Sequence, residues 1–124
     1  MLGYITLGTN NLAVAVDFYQ KLFEPLGAQR AFDESHFVAW QTEERSSMFA
    51  VIEPYDKQAA SVGNGTMVAL ELSSIGLVDQ LHALALSLGG TCEGAPGDRG
   101  AGFYSAYFRD LEGNKISVFH RDYT

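Results

Sequence analysis

Apolar and polar positions alternate in Gly3-Tyr4-Ile5-Thr6-Leu7-Gly8, with Ile5 and Leu7 on one side and Tyr4, Thr6 and Gly8 on the other. That is the two-residue period of a half-buried strand. The period then lengthens. Leu12, Val16, Tyr19, Phe23 and Leu26 recur at steps of four and three, which predicts a helix from Leu12 to Phe23 with one apolar face. Asn10 and Asn11 are suitable N-caps, and Pro25 and Gly27 end the helix. Three short extended runs follow, Ala28–Phe32, His36–Trp40 and Ser47–Ile52, the last closed by Pro54. Residues 55–65 show no period and end in the turn signal Gly63-Asn64-Gly65.

The second half writes the same order again. Gly65 to Leu72 alternates as a strand, Ser74 caps a helix running from Ile75 to Leu88, and Gly89-Gly90 stops it. Ile75, Val78, Leu81, Ala85 and Leu88 form its apolar face. Thr91–Glu93 reads as a short strand and Gly94–Gly102 as a glycine-rich loop. Phe103–Phe108 and Lys115–His120 are strands joined by a turn over 109–114. Superposing the halves places Tyr4 under Met67 and Gly27 under Gly90. Each half is strand, helix, strand, strand, strand. The fold class is α+β: two βαβββ modules forming a curved mixed sheet that encloses a groove, with the helices outside.

The chain of 124 residues favours one domain spanning 1–124, module one at about 1–55 and module two at about 64–124. Either half alone would bury too little surface to be comfortably stable. The helix-facing sides of the two opening strands are apolar: Ile5, Leu7, Val68, Leu70, Leu72. The other sides carry Tyr4, Thr6, Met67, Ala69 and Glu71. A carboxylate buried there without a partner would be costly, so this side is expected to line a partly wet groove.

Charge narrows the partners. The net charge is −7 with a pI near 4.7, and no Lys/Arg cluster exists along the chain. A nucleic-acid partner is therefore not expected. Cys92 is the only cysteine, which excludes an intramolecular disulfide and fits a reducing compartment. It lacks a basic neighbour and reads as a small buried hydrophobe. No apolar run reaches membrane-spanning length, and Met1-Leu2-Gly3 enters the first strand without a leader pattern. The expectation is a cytoplasmic protein without a membrane partner.

Asp17-Phe18-Tyr19 followed by Pro25-Leu26-Gly27, together with Phe108-Arg109-Asp110-Leu111-Glu112-Gly113-Asn114-Lys115-Ile116, carry a further signal. With the duplicated unit, they resemble the vicinal-oxygen-chelate superfamily: the glyoxalases, bleomycin-resistance proteins and extradiol dioxygenases. The last string resembles that family's aromatic-x-D-P-x-G-N-x-I hairpin, with Leu111 where proline is usual. The resemblance implies a groove in which metal-using members hold a divalent ion. Its ligands are a His or Glu early in the first strand, another early in the fifth, and a Glu in the last. Those positions fall on Tyr4, Met67 and Ser117, none a usual ligand for such an ion. The resemblance also implies a homodimer or a groove closed by the chain's own second half.

The remaining imidazoles show no metal-type spacing. His82 lies mid-helix and reads as a partly buried helix residue, His120 as a frayed strand end, and His36 opens a strand. No cofactor is expected; a divalent metal is the alternative. Candidate ligand contacts are Tyr4, Thr6, Met67, Trp40, Met48, Tyr104, Ser117 and Phe119. Arg99 in the Gly94–Gly102 loop offers a guanidinium to a carboxylate, and the loop could serve as a lid. Glu71 is the candidate general base. The function these residues suggest is metal-independent binding or sequestration of a small, partly apolar organic molecule. The alternative is a glyoxalase-like lyase or isomerase, or a dioxygenase, with an atypical site. The metal-dependent glyoxalase reaction itself needs an ion to polarise the enediolate oxygens, and no shell for one is evident.

Overall fold

Asn11 begins the first helix. In a computed structural model describing residues 1–124, its side-chain oxygen accepts from the Val14 amide at 3.2 Å, which satisfies one of the helix's unpaired donors. The helix, α1, spans Leu12–Leu22, and a 3-10 turn at Glu24–Leu26 follows it. Gly27 closes that turn at φ +68°, a left-handed position that disfavours a side chain. Four strands complete the first unit, residues 1–61: β1 (Tyr4–Gly8), β2 (Gln29–Asp33), β3 (Phe37–Gln41) and β4 (Met48–Ile52). They form one sheet in the order β1-β4-β3-β2, with β1 parallel to β4 and the other pairs antiparallel.

The second unit, residues 62–124, repeats this arrangement. Its elements are β5 (Val68–Glu71), α2 (Ile75–Ser87), β6 (Thr91–Asp98), β7 (Phe103–Arg109) and β8 (Lys115–Arg121). The sheet order is β5-β8-β7-β6, again with one parallel pair, β5 with β8. Ser74 caps α2 by accepting from Leu77 N at 3.1 Å. The repeated βαβββ unit is therefore as expected. The β-structure is two four-stranded mixed sheets, one per unit, in the expected α+β arrangement.

Helix α1 buries Ala15, Phe18, Tyr19 and Leu22, and Phe23 just past its end is buried too; of the expected stripe Tyr19 and Phe23 hold, whereas Leu12, Val16 and Leu26 are only partly buried. Aromatic packing anchors the two stripe positions that are kept. Tyr19 and Phe23 lie against Phe49 at centroid distances of 4.7 and 5.1 Å, and Phe23 meets the Trp40 ring edge-on at 5.7 Å. In the second unit Val78, Leu81 and Ala85 pack with Ala106, Phe108, Ile116 and Val118, all fully buried. Ile75, expected in this core, is exposed.

Strand β6 is the main departure. It runs on to Asp98, through residues expected to be loop, and pairs with β7 across two register irregularities at Gly94 and Gly97. Only residues 99–102 turn, with Arg99 N bonded to Phe103 O at 2.8 Å and Phe103 N to Gly100 O at 2.9 Å. The lid expected over Gly94–Gly102 is thus an edge strand and a tight hairpin. Cys92 sits on that edge strand and is exposed, contrary to the buried position expected.

The β7–β8 hairpin is organised by Asp110, which is buried. Its Oδ1 accepts from the Glu112 and Asn114 amides at 3.0 and 2.9 Å, and its Oδ2 from the Asn114 side chain at 3.1 Å. Gly113 adopts φ +93° to complete the turn. This pins Arg109 opposite Lys115, and every later pair follows from it.

Trp40 is 1% exposed, lies between Phe23 and Tyr19, and donates its indole N–H to Gln20 Oε1 at 2.9 Å. Trp40→Ala should lower the unfolding free energy by about 3–5 kcal/mol in a urea titration. A loss below about 1 kcal/mol would show that this ring is not core.

Candidate functional site

Strand register decides which side chains share a face. In the first unit Tyr4 pairs with Met48 and Thr6 with Ala50, while Ile5 pairs with Phe49 and Leu7 with Val51. Phe49 and Val51 are buried on the α1 side. Tyr4, Thr6 and Met48 therefore share the face that α1 does not cover, and Phe37 joins them beside Ile52. Tyr4 is 65% exposed there. Trp40 pairs with Phe49, so it belongs to the core on the α1 side and leaves the candidate site.

In the second unit Ser117 pairs with both Ala69 and Tyr107, and Phe119 with both Glu71 and Ser105. The partners on the other face, Ile116 and Val118, are wholly buried. Ser117, Phe119 and Glu71 thus share the face away from α2. Met67 precedes β5 and is partly exposed. Tyr104 is on the opposite side. It pairs with His120, and its hydroxyl donates to Asp79 of α2 at 2.7 Å. The aromatics of β7 on the helix-free face are Phe103 and Tyr107 instead.

Arg99 lies back over β6. It donates to Ala95 O at 2.6 Å and its guanidinium carbon is 5.7 Å from the Tyr107 ring centroid. Lys115 Nζ approaches the same ring at 5.6 Å. Arg109 bonds Glu93 at 2.7 Å and Gly113 O at 3.1 Å. Farther along, the Arg121 guanidinium carbon is 4.9 Å from the Phe103 centroid and 4.8 Å from that of Tyr123. Its Nε is buried without a hydrogen-bond partner. Lys115, Arg121 and Tyr123 were not singled out from the sequence, and neither Phe103 nor Tyr107 was assigned to a face. The signal was present: once the Gly113-Asn114 turn fixes the hairpin register, Ser117 implies Tyr107, and Phe119 implies Ser105.

Glu71 is exposed and its carboxylate accepts from the Tyr123 hydroxyl at 2.8 Å. That bond raises the Tyr123 pKa, as the bond to Asp79 does for Tyr104. The Arg109 guanidinium holds Glu93 below the usual carboxylate range, and bonds from Thr124 do the same for Asp122.

The donor set does not fit a divalent ion. The positions to which the resemblance assigns ligands hold a phenol, a thioether and a hydroxyl. No group of three or more His, Cys, Asp or Glu side chains is placed to hold one. The three imidazoles are dispersed. His82 is buried in α2 with Nε2 unpartnered, His120 Nδ1 lies 2.9 Å from Leu72 O, and His36 stacks edge-on against Phe37. His120 is thus tied in place, where a frayed end was expected.

A separate cavity of about 530 Å³ opens in the first unit at the start of α1, lined by Asn11, Leu12, Arg30, Glu34, Val38 and Glu53 among others. Arg30 there is committed to Asp33 at 2.9 Å and to Gln20 at 2.8 Å. Its remaining charge is acidic and its mouth wide, so it offers a small ligand little grip.

The family model described as Glyoxalase/Bleomycin resistance protein/Dioxygenase superfamily matches residues 1–118. Among solved structures, a glyoxalase/bleomycin resistance protein from Albidiferax ferrireducens T118 is 32% identical, with a TM-score of 0.88 over 98% of this chain and 99% of that one. A glyoxalase/bleomycin resistance protein/dioxygenase family enzyme from Burkholderia phytofirmans PsJN is 18% identical, with a TM-score of 0.77 over 97% and 98%. A structure named lactoylglutathione lyase, from Agrobacterium tumefaciens, is 20% identical, with a TM-score of 0.72 over 97% and 92%; at that identity the likeness is one of fold. No curated protein matches. No helix is long and apolar enough to cross a membrane.

The pH dependence of stability should follow the four shifted groups. The two phenols are held protonated to higher pH than in the unfolded chain. Their contribution is present below the ordinary phenol value of about 10 and lost as pH rises through the raised values. Glu93 and Asp122 contribute above the ordinary carboxylate range of about 4, and that part is lost as pH falls through their lowered values. Melting curves from pH 3 to 11 should fall at both ends. Tyr104→Phe with Tyr123→Phe should flatten the alkaline fall, and Glu93→Gln the acid one. Unchanged profiles in these variants would contradict the assignments.

Proposed function

The chain belongs to the Glyoxalase/Bleomycin resistance protein/Dioxygenase superfamily, and on that premise we propose that it binds a small, partly apolar organic molecule without a metal ion. The observation that carries this reading is the register of the two sheets. Each leaves one face without a helix, and each such face mixes aromatic or thioether surface with a few polar atoms. Tyr4, Thr6 and Met48 supply it in the first unit, and Ser117, Phe119 and Glu71 in the second. Walls of that composition suit a ligand gripped by shape and hydrogen bonds.

The residues at the family's metal positions support the metal-independent half of the proposal. Phenol, thioether and neutral hydroxyl groups are poor ligands for hard or borderline divalent ions. Glu71 stands in solvent and is already engaged by Tyr123, which suits orientation of a ligand better than proton abstraction. Function in this reading is capture, with the chain acting as a homodimer in the cytoplasm. Exposed Tyr4, Phe32 and Met67 favour a partner surface, and the exposed thiol of Cys92 favours a reducing compartment.

A thermal-shift screen of small organic acids, phenols and thiols in EDTA tests the capture reading. A ligand at a hundredfold excess over its Kd should stabilise the protein by about 2.7 kcal/mol, a shift of several degrees. No shift from any compound, or shifts that appear only when a divalent ion is added, would refute it. Light scattering should return twice the 13.5 kDa chain mass; the chain mass alone would remove the homodimer.

A further inference from the structure

All four Lys and Arg residues of the second unit, Arg99, Arg109, Lys115 and Arg121, lie on the side of its sheet that α2 leaves open. Helix α2 contains none. In a chain of net charge −7, this is a marked segregation. Ordinary surface charge would be spread over the helix as well, because solvated cations gain nothing from crowding.

Three of these cations form no salt bridge; only Arg109 does, to Glu93, which Lys115 also favours through space. Arg99 and Lys115 instead flank the Tyr107 ring at 5.7 and 5.6 Å. An aromatic ring draws cations to its face without neutralising them, so their charge stays available to an anion. Arg121 lies against Phe103 and Tyr123, and its buried Nε lacks an acceptor. Between the two groups, the floor of the face is small and buried: Ser105 and Ser117 are each 3% exposed.

The backbone makes room for this arrangement. A Cβ on Gly97 would lie 2.6 Å from Arg99 Nη1, and one on Gly94 2.9 Å from Cδ2 of the Tyr107 ring. Gly97 thus leaves room for the guanidinium over β6, and Gly94 for the Tyr107 ring that it approaches.

We infer that this face takes a small organic anion, a carboxylate or a phosphate ester, with the charged group against Lys115 and Arg99 beside Tyr107. The inference rests on the proposed binding function and specifies the ligand class for one of its faces. The apolar part of the ligand lies along Phe119 and Phe103, with Arg121 beyond it. A bare cationic surface would not select such a molecule. Cations next to aromatic rings and a small-residue floor supply charge and apolar contact together.

Isothermal titration tests this with benzoate, succinate and phenyl phosphate against neutral benzamide and benzyl alcohol, all in EDTA. Anions should bind, and benzamide should bind at least about tenfold more weakly than benzoate, the value of one charge-assisted contact. The stronger of benzoate and phenyl phosphate identifies the anionic group. Lys115→Met should weaken the anions by about tenfold and leave benzamide unchanged. Lys115 makes no salt bridge, so folding should survive the change, and circular dichroism checks it. Gly97→Ala keeps every charge but displaces Arg99, and should weaken the anions as well. Neutral compounds binding as tightly as anions would overturn the inference and leave the binding function standing. Undiminished benzoate affinity in both variants would do the same, assigning the cations to bracing the hairpin. No binding by any compound, here or in the thermal-shift screen, would remove both.

Discussion

Each unit has four strands and one helix, and one helix can dry only one face of a sheet. That constraint governs the rest of the molecule. The dry face is fixed first, by Phe49 and Trp40 under α1 and by Ile116, Val118 and Phe108 under α2. Two-residue alternation then assigns every neighbouring position to the other face, whatever its chemistry. Tyr4, Thr6, Ser117 and Tyr107 face away from the helices because the residues beside them cannot.

The two units solve this constraint with the same strand order and different chemistry on the helix-free side. The first presents an apolar and weakly polar surface around Tyr4, Met48 and Phe37. The second gathers the cations of its unit around Tyr107 and Phe103. Duplication fixes the scaffold, and divergence on the face free of packing demands sets what it can hold. The family relationship is therefore strong evidence for the fold and weak evidence for a reaction.

Local rules made much of the fold legible in advance. The caps at Asn11 and Ser74, the succession of strand and helix along each half and the Asp110–Gly113 turn all depend on short-range chemistry. What resisted was anything decided by packing or pairing partners. The α1 stripe held at Tyr19 and Phe23, but the rest of the buried face is Ala15, Phe18 and Leu22, where Leu12, Val16 and Leu26 were expected. Strand β6 looked like a loop because Gly94, Pro96 and Gly97 are poor strand formers; pairing with β7 overrides that preference. Tyr104 and Tyr107 are indistinguishable by residue type. Only the hairpin register separates the phenol that ties β7 to Asp79 from the one between two cations. Trp40 was misplaced for a similar reason: its strand is apolar on both sides, and only the Phe49 pairing shows which is dry.

Ligand capture by side chains alone, on the helix-free faces, is most directly tested by amide chemical-shift mapping during a titration with a bound organic acid in excess EDTA. The perturbed amides should lie on β1 and β4 or on β5, β7 and β8, at Tyr4, Met48, Ser117 and Tyr107 and their neighbours. Perturbations confined to α1, α2 or the cavity at the start of α1 would contradict the account, as would a response that appears only after a divalent cation is restored.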